Sequence, residues 1–382
     1  MRAQGTPVPS VCGHDAPVEY GEPGADGLVD VPANDPNLHY IGRVDCSDPT
    51  LVAFAYPGVS IRARFEGNAV DLRLKDYGQE GETVASYYEV VLDGVHQKLK
   101  VSPSETLYSL GRELGAGPHE LEIWKRVESG PGGRANQGRG DFLGLRIEAG
   151  SALLPVAAKT RAIEVIGDSI TCGYGNEVST TTPDDFKYTT LNSNAYLAYG
   201  AIAARALDAE YVAVAASGRG VSRNFGGFLG LLVPAMWKLT LPENPSAPAW
   251  DFHAFAPDAV IVNLGTNDFS PPATAIDLHA FKQSYVTFLA EIRNVYPDAL
   301  IVTALGPMLS DYYPPGILAW TEIQKAMQQI VATRTAAGDE KLESIVFPPQ
   351  SAPYGEDWHP TVATHEAMAL KLTQLLSARL GW

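Results

Sequence analysis

From about residue 156 to the end of the chain, short apolar runs alternate with longer helical stretches. This alternation constrains the fold more than any other feature of the sequence. The apolar runs cover residues 162–166, 211–215, 259–264, 300–304 and 344–347, and the helical stretches cover 194–207, 279–295, 317–336 and 361–380. Nearly continuous apolar strands separated by helices are typical of a parallel sheet with helices on both faces. We therefore predict an α/β domain over residues 156–382, with its functional residues at the carboxyl ends of the strands.

The preceding part of the chain, residues 36–155, has a different pattern of apolar and polar residues. Short apolar or alternating runs lie between turn signals, at residues 51–56, 60–65, 69–74, 86–92 and 120–126. Asp93-Gly94 lies between two such runs and indicates a β-hairpin. Several short strands at this spacing favour an all-β domain, a β-sandwich or jelly roll. Residues 1–35 are rich in proline and glycine without apolar periodicity, so we predict an N-terminal tail there.

The charge and cysteine content exclude some functions and leave others open. The net charge of −16 makes nucleic acid and anionic membrane surfaces unlikely partners. The chain has no run of about 18 apolar residues, so no membrane span is predicted. Cys12, Cys46 and Cys172 match no zinc-binding spacing, and they form either one disulfide with a free thiol or three free thiols. The first residues lack the layout of a signal peptide, which is compatible with a cytoplasmic protein or with a mature form.

Ser169 is the first residue that could carry chemistry. It follows the first apolar strand of the α/β domain in a Gly-Asp-Ser segment, so its hydroxyl should lie in the crevice at the strand ends. Backbone N–H groups at such a turn can stabilise negative charge. The alternatives are a helix-capping serine or a phosphate-binding loop, although no lysine follows the glycines as it does in a phosphate loop.

Two further segments follow the next apolar strands and could supply an oxyanion hole. Gly218 follows the second strand, and its N–H could point into the crevice. Asn267 follows the third strand and offers a side-chain amide, beside Asp268, which could buttress the loop. Each segment alone reads more readily as an ordinary turn.

His359 completes the set. Of the eight histidines, it alone combines flanking acids with a position after the last strand. A serine, two oxyanion donors and a histidine around one crevice are what acyl transfer requires, since a weak hydroxyl nucleophile needs a base and the tetrahedral oxyanion needs fixed donors.

At this point the sequence resembles a known family. Four segments follow the order and content of the SGNH (GDSL) hydrolases: IGDSITCGYGNE at 166–177, SGRGV at 217–221, NLGTNDFS at 263–270 and DWHP at 357–360. Together with the β-rich first half, they resemble carbohydrate esterase family 2, the acetyl xylan esterase type. The resemblance implies a flavodoxin-like SGNH domain behind a jelly roll and removal of acetyl groups from polysaccharide. It also implies export to the periplasm or the exterior, and neither a metal nor an organic cofactor.

The resemblance also implies roles for particular residues. Ser169 would be the nucleophile and His359 the base, with an oxyanion hole made by Ser169, Gly218 and Asn267. For the acid that orients His359 we favour Asp357, with Glu356 second and a backbone carbonyl as the remaining alternative. From its position between the acid and the base, Trp358 could line the acyl pocket, stack on a sugar or pack in the core, and Arg219 and Tyr174 are further candidates for substrate contact.

Two alternative functions stay open on the sequence. One is an esterase acting on another acyl group, namely a lipase, a thioesterase or a peptidoglycan O-acetyl esterase. The apolar segment 225–232, with Trp237, would serve a lipase as a lid. The other is a carbohydrate-binding protein whose esterase domain has no catalytic activity.

Overall fold

The computed structural model describes residues 5–13, 18–129, 138–244, 246–272, 274 and 276–382. Its first half is antiparallel and consists of strands β1 (Leu28–Pro32), β2 (His39–Ile41), β3 (Val44–Asp45), β4 (Val52–Phe54), β5 (Ser60–Glu66), β6 (Val70–Asp76), β7 (Tyr87–Leu92), β8 (Val95–Lys100), β9 (Leu107–Gly111), β10 (Pro118–Lys125), β11 (Gly140–Glu148) and β12 (Leu153–Leu154). One sheet has the order β3-β4-β11-β6-β9, with β1 beside β11, and the other has the order β12-β5-β10-β7-β8, with β2 beside β5.

The two sheets form the predicted β-sandwich because alternate residues along their strands point into the space between the sheets. On β5, Ile61 and Phe65 are buried between the sheets while Arg62 lies on the other face. The predicted hairpin at Asp93-Gly94 is confirmed. Both residues have positive φ, 51° and 77°, and they join β7 to β8 with Leu92 opposite Val95.

The prediction of a tail over residues 1–35 is wrong for part of that segment. β1 pairs with β11 along its whole length, and Val8 is fully buried. Cys12 forms a disulfide with Cys46, which ties the segment to the sandwich, while Cys172 is a buried free thiol. This strand was not predicted because its apolar run is only a few residues long and lies in a segment rich in proline and glycine.

The second half is the predicted α/β domain. Its strands are β13 (Arg161–Gly167), β14 (Ala209–Ala215), β15 (Ala259–Asn263), β16 (Leu300–Leu305) and β17 (Leu342–Val346), and its helices are α1 (Ser169–Cys172), α2 (Tyr199–Ala206), α3 (Val233–Met236), α4 (Leu278–Val295), α5 (Ala319–Ala336) and α6 (Val362–Leu380). Short 3₁₀ turns occur at Pro183–Asp185, Ala195–Leu197, Phe225–Gly227 and Glu356–Trp358.

All pairings in this sheet are parallel, and its order is β14-β13-β15-β16-β17. In sequence terms the order is 2-1-3-4-5, that of flavodoxin-like folds. α2 and α6 pack against one face, and α4 and α5 pack against the other. The carboxyl end of β13 therefore lies between those of β14 and β15, where a ligand crevice is expected. Among the described residues, no helix is long and apolar enough to cross a membrane.

The two halves share a buried polar junction beneath the parallel sheet. Arg43 of the sandwich is fully buried and donates to Glu164 of β13 at 2.6 Å and to the carbonyl of Trp237 at 3.0 Å. The indole N–H of Trp237 donates to the same carboxylate at 3.0 Å. The Arg43 guanidinium also lies 4.3 Å from the ring centroid of Trp250. The sandwich is thus packed against the α/β half through a buried ion pair.

Candidate active site

Ser169 is the first residue of α1, directly after β13, at the centre of the strand-end crevice. The helix is capped by the preceding residue, because the Asp168 carboxylate accepts the N–H of Ile170 at 3.0 Å. Gly167 allows the sharp turn, since a Cβ there would lie 2.0 Å from Oγ1 of Thr171. The serine is therefore not the capping residue, and its hydroxyl is free to face the crevice.

His359 lies across the crevice from this serine. Its Nε2 is 2.8 Å from Oγ of Ser169, within the range that proton transfer requires. Burial lowers the pKa of His359 to about 4, an effect that the neighbouring carbonyls and the Asp357 charge oppose only in part. The imidazole is thus neutral at neutral pH and able to accept the serine proton.

The orientation of this imidazole comes from the backbone. Nδ1 lies 3.0 Å from the carbonyl oxygen of Glu356 and 3.1 Å from that of Asp357. Asp357 and Trp358 both have left-handed φ, 46° and 59°, a conformation that non-glycine residues rarely adopt. This unusual turn brings the two carbonyls to one side of the ring, where they hold the proton on Nδ1.

The prediction that the Asp357 side chain contacts His359 is corrected by this geometry. Its Oδ2 accepts the Tyr174 hydroxyl at 2.7 Å and the N–H of Tyr188 at 3.2 Å. The Glu356 carboxylate, our second choice, is bound instead to the backbone and side chain of Thr189 and to the amide of Asn192. Both acids hold the loop around the site, and the third alternative, a backbone carbonyl, describes the structure.

Tyr174 lies against the histidine. Its ring stacks on the His359 imidazole with the centroids 3.9 Å apart and the planes 20° apart. Its hydroxyl donates to Asp357, and this hydrogen bond fixes the ring that lies on the imidazole. The predicted sugar contact of Tyr174 remains a prediction, because the structure places one face of its ring on the base.

Gly218 lies in the loop after β14 with φ of 75°, which favours glycine. Its carbonyl accepts the N–H of Phe225 at 2.8 Å. Within the described part of the chain, its own N–H has no acceptor. A Cβ at this position would meet only Cβ of Phe225, at 3.7 Å, so the backbone conformation and not the space requires glycine. The role of this N–H as an oxyanion donor stays a prediction.

Asn267 joins the three loops of the crevice. Its Nδ2 donates to the Asp168 carboxylate at 3.2 Å and to the Arg219 carbonyl at 2.8 Å. Both amide hydrogens are thus engaged with protein acceptors, and its role as an oxyanion donor stays a prediction. Asp268 buttresses the loop after β14, since it accepts the N–H groups of three consecutive residues, Val221, Ser222 and Arg223.

Asp168 lies in an acidic, buried environment. Burial raises its pKa to about 7, and the charges of Asp268 and Glu128 act in the same direction. The hydrogen bond from Ile170 opposes them. Three carboxyl groups therefore surround the loops that hold Ser169 and Gly218, although none of the three contacts the histidine.

The remaining predicted residues lie around the rim. Trp358 is 42% exposed next to His359, and its carbonyl accepts the Gln350 amide at 2.5 Å. Arg219 donates to the Leu231 carbonyl at 3.0 Å. Phe225, Phe228 and Leu229 are exposed, but Trp237 is buried at the junction with Arg43 and Glu164. Trp237 is therefore not part of a lid.

The sandwich also contributes contacts to the site that the sequence did not predict. Arg126 is buried and donates to Glu177 in the loop after α1, at 2.5 Å, and to Glu89 of β7, at 3.0 Å. Glu128 accepts the N–H of Ser217 at 2.5 Å. The sequence did not indicate these contacts, because Arg126 and Glu128 come directly after an ordinary strand of the other domain and lie in no recognisable motif.

Comparisons with known families agree with this architecture. Residues 40–156 match the carbohydrate esterase 2 N-terminal family, and residues 165–367 match the GDSL-like lipase/acylhydrolase family. The two matches divide the chain between the antiparallel and the parallel sheets.

Relatives and solved structures extend the comparison. The cellulase/esterase CelE of Acetivibrio thermocellus is 36% identical over 91% of this chain, which spans only 40% of that protein. An acetylxylan esterase/glucomannan deacetylase of Cellvibrio japonicus is 28% identical, with 92% of this chain and 91% of that protein aligned. The structure of a family two carbohydrate esterase from Clostridium thermocellum, in complex with cellohexaose, is 36% identical with a TM-score of 0.80, over 90% of this chain and 99% of the other.

Proposed function

The chain belongs to carbohydrate esterase family 2, a family of carboxylic ester hydrolases, and from this premise we propose that it removes O-acetyl groups from polysaccharide or oligosaccharide. The observation that carries the proposal is the 2.8 Å contact between Oγ of Ser169 and Nε2 of His359, at the carboxyl end of the central strand. A neutral, buried base within hydrogen-bond distance of a serine hydroxyl in the crevice is the arrangement for nucleophilic attack on an ester.

The first step is acylation. His359 Nε2 takes the proton of Ser169 as Oγ bonds to the acetyl carbonyl carbon, and the carbonyl π electrons move to the oxygen. The Glu356 and Asp357 carbonyls stabilise the imidazolium by accepting its Nδ1 proton in hydrogen bonds. Two carbonyl dipoles replace the full charge of a triad aspartate.

The tetrahedral oxyanion needs donors near Ser169. The N–H of Gly218 has no acceptor among the residues that the structure describes, and the N–H of Ser169 lies at the start of α1, so both are suited to this role. Asn267 would join them by exchanging one of its present bonds, to Asp168 or to Arg219, for one to the oxyanion.

Leaving-group departure and deacylation complete the cycle. His359 gives its proton to the sugar oxygen as the bond between the acetyl carbon and that oxygen breaks. Water, deprotonated by the same imidazole, then attacks the acetyl-serine, and the proton returns to Ser169 as acetate leaves.

The favoured substrate class is acetylated xylan-like hemicellulose. Trp358 is exposed beside the base, and an aromatic face of this kind packs against the apolar face of a sugar. The names of the relatives point the same way, since one acts on acetylxylan and glucomannan and another holds cellohexaose. The net charge of −16 favours a neutral glycan over a polyanion.

The experiment is acetate release from acetylated xylan by the wild type and by Ser169→Ala. We expect release by the wild type alone, with an unchanged thermal transition in the variant. Normal turnover by Ser169→Ala would overturn the mechanism. Binding of the glycan without any release by the wild type would favour a carbohydrate-binding protein.

A chain-length series of p-nitrophenyl esters separates the other alternative. Preference for acetate over octanoate is expected of a carbohydrate acetyl esterase, whereas the reverse order would favour a lipase that uses the exposed Phe225, Phe228 and Leu229.

We also propose that the protein works outside the cytoplasm. The disulfide between Cys12 and Cys46 supports this, because disulfides persist in oxidising compartments. One reactive thiol per denatured, unreduced molecule from its native source is the expected result, and three would contradict the proposal.

A further inference from the structure

A carboxylate from the sandwich lies between the two segments that form the active site. Glu128 follows β10 and is 4% exposed. Its Oε2 accepts the N–H of Ser217 at 2.5 Å, and its Oε1 accepts the Ser217 hydroxyl. Burial raises the pKa of the Cys172 thiol, and the charge of Glu128 acts in the same direction. Ser217 precedes Gly218, and Cys172 ends the helix that Ser169 begins, so this side chain binds one segment and lies close to the other.

The two bonds to Ser217 bear directly on the oxyanion donor. They hold both the backbone and the side chain of that residue. The N–H of Gly218 belongs to the planar peptide group that starts at the Ser217 carbonyl. A fixed Ser217 therefore restricts the direction of the Gly218 N–H, which the protein leaves without an acceptor among the described residues.

The opposite end of the same loop is held in the same way from the other half of the molecule. Asp268 accepts N–H groups of Val221, Ser222 and Arg223, together with the Ser222 hydroxyl. Glu128 holds the start of the loop at Ser217. The segment 217–223 is thus fixed by one carboxylate from each half of the chain.

Glu128 is buried, and both of its carboxyl oxygens accept hydrogen bonds from Ser217. Burial raises the pKa of this carboxyl group, and the Ser217 donors and the charge of Lys125 lower it. Lys125 is itself fully buried, with its ammonium donating to the Val127 carbonyl at 2.7 Å. An apolar side chain would be enough for packing between the two halves, since buried ionic groups add little net stability.

We propose that Glu128 is a positioning residue for acyl transfer, which aims the Gly218 N–H at the oxyanion by holding Ser217. This inference rests on the proposed function. It makes the sandwich part of the catalytic machinery, although no sandwich residue needs to touch the substrate.

The test compares Glu128→Gln and Ser217→Ala with the wild type on p-nitrophenyl acetate. Rates are expressed per active site, and the number of active sites is measured by titration of Ser169. Loss of one oxyanion donor costs about 10²–10³ in kcat, so we expect misalignment in Glu128→Gln to lower kcat about 10- to 100-fold, with KM changed by less than about threefold. Ser217→Ala keeps the buried carboxylate and the backbone bond, and a smaller loss of about three- to tenfold is expected. An unchanged kcat in both variants would overturn the proposal.

The matched control is Glu210→Gln. Glu210 is also a buried carboxylate that joins the two halves, through an ion pair with Arg62, but it lies near the amino end of β14, away from the crevice. We expect its thermal transition to fall while kcat per active site stays within about twofold of wild type. An equal loss of kcat in this control would show a general effect of the domain junction and would overturn a specific role for Glu128.

A second readout separates this inference from the proposed function. A small alkyl boronic acid bonds to Oγ of Ser169 and becomes tetrahedral, with a boron hydroxyl in the place of the oxyanion. We expect its affinity to fall in Glu128→Gln by about the same factor as kcat/KM. If the wild type binds the boronate but hydrolyses no acetyl ester, the acyl group is wrong, and the boronate ratio still decides the role of Glu128. Equal boronate affinity in wild type and variant would overturn it.

Discussion

The two halves of the molecule differ in how clearly their sequences indicate a function. The parallel half carries the recognisable segments, with Ser169, Gly218, Asn267 and His359 at the ends of its strands. The antiparallel half carries none, yet it sends Arg43, Arg126 and Glu128 into buried contacts with the other half. The reactive residues can therefore all lie in one domain, while contacts from the neighbouring domain hold the loops that carry them.

The largest effect should come from the parallel half alone. His359→Ala removes the base that lies 2.8 Å from Oγ of Ser169. We expect kcat for an acetyl ester to fall by about four orders of magnitude or more, as for other members of such catalytic units, with the fold intact. Steady-state kinetics together with circular dichroism check this.

The exposed His253 provides a control for that substitution. His253→Ala should keep full activity. A loss in His359→Ala of less than about tenfold would mean that another group acts as the base.

The next effect tests the dependence of one half on the other. Arg43→Met leaves the Glu164 carboxylate buried without its charge partner, and breaking such a pair costs about 3–5 kcal/mol. We expect the free energy of unfolding in urea to fall by about that amount. Glu164→Gln in the same chain should restore part of it, because the uncompensated charge is then gone.

An exposed ion pair gives the reference for this measurement. Lys341→Met breaks a solvent-exposed pair with Asp298 and should change stability by less than about 1 kcal/mol. If Arg43→Met costs no more than this, the buried junction does not hold the two halves together.

The pH dependence sharpens the comparison within the site. The base must be neutral, and burial lowers the pKa of His359 to about 4. As pH falls, protonation should therefore reduce kcat/KM only near pH 4, well below the ordinary value of about 6.5 for histidine. A kcat/KM profile of a small acetyl ester checks this, with samples returned from low pH to pH 7 to show that any loss is reversible. An acid limb near pH 6.5 would contradict the buried, neutral base.

The smallest effect is expected at the residue that the sequence favoured as the acid. Asp357→Asn should lower kcat by less than about tenfold, since backbone carbonyls hold Nδ1 and the carboxylate binds Tyr174, Tyr188 and Lys187 instead. Removing its charge should move the acid limb to slightly lower pH, because that charge raises the His359 pKa. A loss of about 10⁴, as for a triad aspartate, would show that the side chain does orient the base.

Much of the fold was predictable because periodicity reports burial. The alternation of apolar strands with helices identified the parallel sheet, and Asp93-Gly94 identified a hairpin. The strand at Leu28–Pro32 was missed because its short run lies in a segment rich in proline and glycine. In the lipase alternative Trp237 was placed in a lid, because an apolar sequence does not distinguish a surface loop from the core.

The active site was likewise predictable only in part. Strand-end residues of a parallel sheet must share one crevice, so Ser169 and His359 could be brought together from the sequence. Which atom meets Nδ1 depends on the φ values of Asp357 and Trp358, and neither residue type reveals a left-handed backbone.

By itself, the sequence determined the two fold classes, the crevice and the reactive pair, because these follow from hydrophobic periodicity and from residues close to strand ends. Only the tertiary structure decided what surrounds that pair. The backbone carbonyls on His359, the ring of Tyr174 on its face and the hold of Glu128 on Ser217 all depend on contacts between segments far apart in the chain. Such contacts are set by packing between elements and domains, and no local pattern of residues encodes the distance between them.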